Sequence, residues 1–203
     1  MDKQISRQFF NKEAAHWDET VRSNDADKLQ AMAARLSIPD NARVLDVGTG
    51  TGVFVPYILP KLNGGGMITC VDFAFQMLEI ALNKNGDDGI NHVCAEIESL
   101  GIIRNKFDVV ICFSTFPHFH DKPLALENIF ETLTEGGVVY ICHSESREFI
   151  NNIHRQIPDF VDHLIPERGE IYTMLENTGF FDISIIEDDT YYLAEARKPS
   201  RNN

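Results

Sequence analysis

The chain has 203 residues, 43% of them hydrophobic, and its 31 acidic against 18 basic side chains give a formal net charge of −13. This length suits one domain with a substantial core, and the negative charge disfavours nucleic-acid substrates, whose phosphates an acidic surface repels. No apolar run approaches the ~20 residues that span a membrane, and the first residues lack the apolar stretch of a signal peptide. We therefore expect a single domain of a cytoplasmic protein.

Two helices are predicted ahead of the first strand. The spacing of apolar side chains predicts a short helix over Phe9–Ala14, followed by a loop. A second apolar stripe predicts a helix over Asp25–Leu36. The helix ends before Pro39, because the helical conformation is disfavoured for the residue that precedes a proline, here Ile38. We expect residues 1–40 to form a helical cap.

A glycine-rich turn follows the first predicted strand. Val44–Val47 has the apolar character of a short buried strand, and Gly48, Gly50 and Gly52 follow it at alternate positions. Glycine is needed where the backbone adopts unusual φ/ψ values and approaches a ligand closely. The helix predicted over Val53–Leu62 would point its first N–H groups at the same place.

A carboxylate closes the next predicted strand. Met67–Asp72 is that strand, and Asp72 lies 20 residues beyond Gly52. In a βαβ unit an acid at this distance reaches the hydroxyls of a ribose. The sequence therefore predicts a nucleoside-containing cofactor at this end of the sheet.

The turn differs from that of nicotinamide-dependent enzymes. From Asp46 to Gly52 it has G-x-G-x-G after an acid, where a dinucleotide site has G-x-G-x-x-G. It resembles the first motif of the class I S-adenosylmethionine-dependent methyltransferases, within the methyltransferase-11 group that includes quinone-ring C-methyltransferases. The resemblance extends from about Phe9 to about Arg197. It implies that Asp46 and the glycine backbone hold the methionine end of S-adenosylmethionine, and that Asp72 holds the ribose.

The same resemblance implies further cofactor contacts. Phe73 borders the adenine, and the turn Ala95-Glu96-Ile97, after a strand predicted over Ile90–Ala95, meets the adenine edge. Met77 is either a cofactor contact or a core residue. The predicted cofactor residues are Asp46, Gly48, Thr49, Gly50, Gly52, Asp72, Phe73, Met77, Ala95, Glu96, Ile97 and Phe113.

A histidine-containing loop follows the central strand. Phe107–Phe113 is almost continuously apolar, as a strand buried on both faces should be, and Ser114–Asp121 follows it. Ligands bind outside the carboxyl ends of such strands, so this loop should face cofactor and acceptor. It resembles the fourth motif of the family, with His118 where a histidine is frequent. We predict His118 and His143, which ends a later strand, as bases if the acceptor needs one; capping of the next helix is the alternative for His118.

The segment after the fifth strand is predicted to be a helical insertion over the acceptor site, residues 144–178. Arg147, Asn151 and His154 share one face of its first helix, opposite an apolar stripe. We predict that this polar face binds the acceptor and, with the neighbouring histidine, suits an anionic or hydroxylated molecule. A solvated helix face is the alternative.

Trp17 is the fourth residue predicted to bind the acceptor. It lies in FFNKEAAHWD, which resembles a segment that covers the cofactor pocket in the family. Packing on the core is the alternative role. No metal site is predicted, since the spacing of His143, His154 and His163 matches no known ligand rule.

The cysteines fit a reducing compartment. They fall one each in four predicted strands, with no C-x-x-C pair and no zinc-ligand spacing. We predict buried free thiols that act as small apolar fillers, with a soft-metal cluster as the alternative. The four are Cys70, Cys94, Cys112 and Cys142.

The C-terminal part distinguishes the two cofactor classes. Glu135-Gly136-Gly137 predicts a tight turn into the fifth strand, and a last helix over Glu167–Thr178 closes at Gly179. Phe181–Glu187 and Thr190–Arg197 then predict an antiparallel hairpin. This hairpin separates the methyltransferase sheet from an all-parallel nicotinamide domain.

The prediction is one α/β domain over residues 1–203, a Rossmann-like three-layer sandwich with a seven-stranded, mostly parallel sheet and a C-terminal antiparallel hairpin. We predict methyl transfer from S-adenosylmethionine to a small-molecule acceptor. The alternatives are a non-catalytic module that binds S-adenosylmethionine and a nicotinamide-dependent oxidoreductase; a nucleic-acid or protein methyltransferase is disfavoured.

Overall fold

The computed structural model describes residues 3–20, 25–86, 89–100 and 104–200, and seven strands in these ranges form one sheet. The strands are β1 (Arg43–Val47), β2 (Met67–Asp72), β3 (Ile90–Cys94), β4 (Phe107–Phe113), β5 (Leu133–His143), β6 (Phe181–Glu187) and β7 (Tyr192–Arg197). Their order is β3-β2-β1-β4-β5-β7-β6. The first five strands pair in parallel, and β7 runs antiparallel to both β5 and β6. The predicted sheet and its terminal hairpin are confirmed.

Helices cover both faces of the sheet. They are α1 (Lys3–Glu13), α2 (Trp17–Thr20), α3 (Ala26–Arg35), α4 (Val55–Ile58), α5 (Phe75–Lys84), α6 (Lys122–Thr132), α7 (Arg147–Arg155) and α8 (Arg168–Thr178). Val109 and Ile111 of β4 pack in one core cluster with α3 and α4, while Val110 and Cys112 pack in another with α6 and α8. Alternate residues of β4 are thus buried on opposite faces, which explains its continuous apolar run. The three-layer prediction is confirmed.

A serine cap places α7 directly after β5. The Ser146 hydroxyl accepts a hydrogen bond from the N–H of Phe149, 3.2 Å away. Capping of this kind satisfies one of the N–H groups that have no partner within the helix. The cap turns the chain at the carboxyl end of β5, so α7 lies over the same end of the sheet as the glycine-rich turn.

Several predicted boundaries are corrected. The first helix begins at Lys3 rather than Phe9. The helix predicted over Val53–Leu62 is α4 followed by a 3₁₀ turn over Leu59–Leu62, because Pro60 has no N–H to continue α-helical bonding. Residues 1–2 and 21–24 of the predicted cap lie outside the described residues.

The turn predicted at Glu135-Gly136-Gly137 is instead an irregularity within β5. Phe107 pairs with Leu133 and Val109 with Val138, so two steps along β4 correspond to five along β5. The extra residues bulge from the ladder, and Gly136 has φ +75°, a conformation that suits glycine.

The cysteine prediction holds for three of the four residues. All four are free thiols; Cys70, Cys112 and Cys142 are buried, whereas Cys94 is exposed. The prediction that Cys94 is buried is wrong because β3 is an edge strand, whose side chains are covered less completely.

Candidate cofactor and acceptor site

A cavity of about 600 Å³ lies at the carboxyl ends of the parallel strands. Its floor comes from the loops after β1, β2, β4 and β5, and its walls come from α1, α2 and α7. The residues that line it are Phe9, Phe10, Glu13, Trp17, Gly48, Thr49, Gly50, Thr51, Val53, Asp72, Phe73, Met77, Phe113, Ser114, Thr115, His118, His143, Glu145, Phe149, Ile150, Ile153, His154, Ile157 and Phe160.

The turn after β1 is held tightly against its neighbours. The N–H groups of Gly48 and Thr49 donate to the Val71 carbonyl at 2.7 and 3.0 Å. Gly48 has φ +66°, and a Cβ there would overlap the Thr115 side chain. Gly52 has φ +75°, and a Cβ there would overlap the Asn85 amide. Both positions therefore require glycine for space as well as for conformation.

Gly50 differs from the other two glycines because it faces open space. An added Cβ would meet nothing within 4 Å, although its φ is +56°. Its N–H donates to one carboxylate oxygen of Asp72 at 2.8 Å, and the N–H of Ala74 donates to the other at 2.8 Å. Burial raises the pKa of Asp72 to about 6, against the opposing effect of those hydrogen bonds. A buried acid is thus fixed beside an open stretch of backbone.

Asp46 contacts the glycine-rich turn through its side chain. Its carboxylate accepts a hydrogen bond from the Thr49 hydroxyl at 2.6 Å, and it is not among the cavity-lining residues. Burial raises the pKa of Asp46 to about 6, and the Thr49 hydrogen bond opposes that shift. In this structure Asp46 orders the loop that faces the cavity.

A smaller cavity of about 40 Å³ adjoins Asp72 and contains the predicted adenine-binding turn. Ala95, Glu96 and Ile97 all line it, and the Ala95 N–H donates to the Asp72 carbonyl at 3.0 Å. The Glu96 carboxylate is paired with Lys3 at 3.1 Å and also with Arg7. The first helix is therefore attached by ion pairs to this side of the site.

The N-terminal segment covers the large cavity. Trp17 lines it, and Asp18 accepts a hydrogen bond from the Thr51 hydroxyl of the glycine-rich turn at 2.5 Å. The Phe10 ring stacks on Phe160 from the segment after α7, with centroids 5.6 Å apart. Cap and insertion thus meet over the cavity.

Three histidines line the acceptor side of the cavity, and a fourth connects two of them. His118 Nδ1 lies 3.0 Å from His163 Nδ1, and His154 Nδ1 is hydrogen-bonded to the His163 carbonyl oxygen. The rings of His118 and His154 are 4.9 Å apart. His143 is 1% exposed, and neither of its ring nitrogens has a partner in the described part of the chain.

Burial keeps these imidazoles uncharged. It lowers the pKa of His143 to about 3 and that of His163 to about 4, and it holds the pKa of His118 well below its ordinary value. The pKa of His154 is lowered for the same reason. The acceptor side therefore presents neutral nitrogen atoms at pH 7.

Comparison with known proteins identifies the fold. Residues 45–141 match a family model described as a methyltransferase domain. The chain resembles malonyl-[acyl-carrier protein] O-methyltransferase of Bacillus cereus, with 30% identity over 68% of the chain and 52% of the relative. It also resembles the ubiquinone/menaquinone C-methyltransferase of Wigglesworthia glossinidia brevipalpis, with 32% identity over 66% of the chain and 54% of the relative. The chain spans about half the length of these curated relatives.

Solved structures agree in fold. A methyltransferase in complex with the Haloferax volcanii Trm112 activator superposes with a TM-score of 0.77 at 18% identity, over 94% of this chain and 97% of that one. A SAM-dependent methyltransferase from Aquifex aeolicus gives 0.72 at 19% identity, over 92% and 97%. The chain contains a class I S-adenosylmethionine-dependent methyltransferase domain. Its cofactor is S-adenosylmethionine.

The methyltransferase domain brings most of the predicted cofactor residues together. Those that line one or both cavities are Gly48, Thr49, Gly50, Asp72, Phe73, Met77, Ala95, Glu96, Ile97 and Phe113. Asp46 and Gly52 shape the turn without lining a cavity. Of the predicted acceptor-side residues, Trp17, His118, His143 and His154 line the large cavity.

Two predicted acceptor residues lie elsewhere. Arg147 donates to the carboxylate of Glu187 on β6 at 2.6 Å. The Asn151 amide exchanges two hydrogen bonds with the backbone of Ile165, at 2.8 and 3.1 Å. Neither lines the cavity. Two polar residues of α7 therefore bind other parts of the chain. Of the three predicted residues on this helix, His154 alone reaches the cavity.

The opposite face of α7 supplies the cavity wall instead. Phe149, Ile150 and Ile153 line it, a role that an apolar stripe in the sequence does not distinguish from core packing. Ser114 also lines it, with φ +53° and a buried hydroxyl that has no partner in the described ranges. Ser114 thus combines a left-handed backbone conformation with an unpartnered polar atom at the end of β4, and no sequence pattern indicates either feature.

Within the described residues, no three His, Cys, Asp or Glu side chains are grouped so that they could hold a metal ion. In the same ranges, no helix is both long and apolar enough to cross a membrane.

Proposed function

We propose that this methyltransferase domain transfers the methyl group of S-adenosylmethionine to a small, uncharged and largely apolar acceptor. The observation that carries the proposal is the lining of the large cavity, which continues beyond the glycine-rich turn. Aromatic and aliphatic side chains from α1, α7 and Phe160 surround neutral imidazoles. The described part of this lining contains no Lys or Arg.

The residues present fit the cofactor. Gly50 offers open backbone, Asp72 supplies a buried carboxylate for the ribose hydroxyls, and the turn at Ala95–Ile97 borders the smaller cavity that adjoins Asp72. The acidic residues of the lining also suit a cationic sulfonium. When bound, the cofactor supplies an already activated methyl group.

The chain itself then has to position the acceptor and exclude water. The cap and the insertion close over the cavity through contacts such as that of Phe10 with Phe160. Alignment of two reactants in a closed site accounts for much of the barrier reduction in bimolecular displacements. His118 and His143, which the sequence predicted as bases, share the cavity surface with a third histidine, His154, and burial keeps all three neutral at pH 7.

Charge favours an uncharged acceptor over an anion. The charged residues of the large cavity are Glu13, Asp72 and Glu145, and Glu145 already pairs with Lys28 at 2.5 Å. A carboxylate would meet no cationic side chain there, which makes its desolvation unfavourable. The sequence predicted an anionic or hydroxylated acceptor; Arg147 was the only cationic side chain in that predicted set, and its charge is neutralised by Glu187.

The class of acceptor and the cellular location are proposed from composition. A net charge of −13 supports a small molecule over a nucleic acid, and the absence of cysteine pairing supports a cytoplasmic location. The relatives named for a malonyl group on acyl-carrier protein make an acidic acceptor the alternative to be tested.

Calorimetric titration with S-adenosylmethionine, S-adenosylhomocysteine and NAD tests the cofactor. We expect binding of the first two, loss of affinity in Asp72→Asn, and no change in Asp189→Asn, which removes the same charge from an exposed hairpin position. Transfer of radiolabelled methyl to paired phenols and benzoates then tests the acceptor. Binding of NAD alone, or transfer to benzoates but not phenols, would contradict the proposal.

A further inference from the structure

The protonation of His154 is fixed by its surroundings. Its Nδ1 is hydrogen-bonded to the backbone carbonyl oxygen of His163. A carbonyl oxygen can only accept, so the proton of that bond must lie on Nδ1. Because a neutral imidazole carries one ring proton, Nε2 is then left with a free lone pair.

The environment of the ring supports this neutral tautomer. Burial lowers the pKa of His154, and the neighbouring imidazole of His118 is uncharged at pH 7. His154 lines the large cavity, flanked by Ile150, Ile153 and Ile157. Its Nε2 makes no hydrogen bond within the described ranges and is not among their buried, unpartnered atoms. An available acceptor atom thus lies in an otherwise apolar wall.

The other two cavity histidines are not oriented in this way. His118 Nδ1 faces His163 Nδ1, and either nitrogen can carry the shared proton. His143 has no partner at either nitrogen in the described chain. A base held in one tautomer by a carbonyl is ready for proton transfer, as in sites where a third group orients the imidazole.

We propose that Nε2 of His154 accepts the proton of the atom that is methylated, so the acceptor presents an O–H or N–H group on an uncharged, apolar body. This inference rests on the proposed function and names the acceptor chemistry within it. As the bond from the acceptor atom to the methyl carbon forms, the carbon–sulfur bond breaks and its electron pair stays on sulfur. The acceptor's proton moves to Nε2, and the imidazolium later releases it to water.

The tautomer is measured without any acceptor. In long-range ¹H–¹⁵N spectra of protein labelled at histidine, we expect His154 at pH 8 as the Nδ1–H tautomer, with Nε2 unprotonated. His154→Asn assigns the resonance, and the exposed His16 provides an internal comparison. An Nε2–H tautomer would overturn the proposal.

Two substitutions separate the structural hydrogen bond from the base. His154→Asn keeps an amide N–H close to the position of Nδ1, so it can still bind the His163 carbonyl, but it removes Nε2. His154→Gln places its amide nearer to Nε2 and loses the Nδ1 contact. We expect His154→Asn to bind S-adenosylhomocysteine within about twofold of the wild type and to lose about 100-fold or more in methyl transfer to phenols. Equal transfer rates in His154→Asn and the wild type would refute the role of Nε2.

Three probes of similar shape test the acceptor chemistry. Phenol is an uncharged donor, anisole is uncharged without a donor, and benzoate is an anion. With S-adenosylhomocysteine bound, phenol should shift the Nε2 resonance of His154 and bind about tenfold more tightly than the other two. Equal binding of anisole and phenol, or no phenol binding at millimolar concentration, would overturn the inference. Failure to bind S-adenosylhomocysteine would instead reject the proposed function.

Discussion

The cofactor side and the acceptor side of the cavity are built in different ways. On the cofactor side, the turn at residues 48–52 is held by backbone groups, as in the donation from Gly50 to Asp72. On the acceptor side, side chains distant in sequence make the contacts, as between His118 and His163. Backbone requirements restrict the residue type at each position, whereas side-chain pairing leaves many solutions open. The sequence therefore predicts the cofactor side more completely than the acceptor side.

The largest expected effect comes from a substitution in the glycine-rich turn on the cofactor side. In Gly48→Ala the new Cβ would overlap Thr115 at a positive φ, so we expect the free energy of unfolding to fall by about 2–5 kcal/mol and cofactor binding to be lost. Gly50→Ala has the same kind of φ but open space, so it should cost only about 1–2 kcal/mol. Urea unfolding and calorimetry measure both variants. Equal losses would show that strain alone, and not close packing, makes the turn require glycine.

The next effect concerns the charge of Asp72. Loss of a charged hydrogen-bond acceptor in Asp72→Asn should weaken binding of S-adenosylmethionine by about 10–100-fold at pH 7. Since the pKa of Asp72 is raised to about 6, its ionised fraction falls about tenfold between pH 7 and pH 5. The affinity of the wild type should fall by about that factor on acidification.

The free energy of unfolding should change with pH in the opposite direction to the affinity for S-adenosylmethionine. A carboxyl whose pKa is raised on folding binds its proton more readily in the folded than in the unfolded chain between about pH 4 and 6. Stability should therefore decrease as the pH rises through that window, and Asp72→Asn should reduce the decrease.

The affinity measurement has its own contradicting outcome. A wild-type affinity for S-adenosylmethionine that is independent of pH from 7 to 5 would show that the carboxylate does not bind the cofactor.

The limits of sequence reasoning follow from the same contrast. Glycine spacing, Asp72 and the buried run of β4 predicted the sheet and the cofactor turn, because local conformation and burial pattern determine them. Helical periodicity also placed Asn151 and His154 on one face of α7. It did not show that this face packs on the segment around Ile165, since such pairing depends on how the chain returns. For the same reason, periodicity did not show that the apolar face of α7 lines the cavity.

A moderate effect should be confined to the acceptor side. Asn151→Ala removes both hydrogen bonds to the Ile165 backbone and leaves that buried N–H and carbonyl without a partner, so the free energy of unfolding should fall by about 1–3 kcal/mol. Asn152→Ala, an exposed neighbour that only receives a bond from Arg155, should change it by less than about 0.5 kcal/mol. Urea unfolding compares the two. If Asn151→Ala instead leaves stability intact and weakens acceptor binding, the original prediction of a substrate contact stands.

The smallest effect tests whether Arg147 belongs to the acceptor side at all. Its partner is Glu187, and both side chains are 26% exposed, so Arg147→Gln should cost no more than about 1 kcal/mol of stability. Because the guanidinium does not line the cavity, KM for a phenolic acceptor should stay within about twofold. The matched change Glu187→Gln removes the other half of the pair and should behave alike. A rise in KM in Arg147→Gln but not in Glu187→Gln would show that the guanidinium leaves its carboxylate to contact the acceptor, and the argument that the acceptor meets no cationic side chain would then fail.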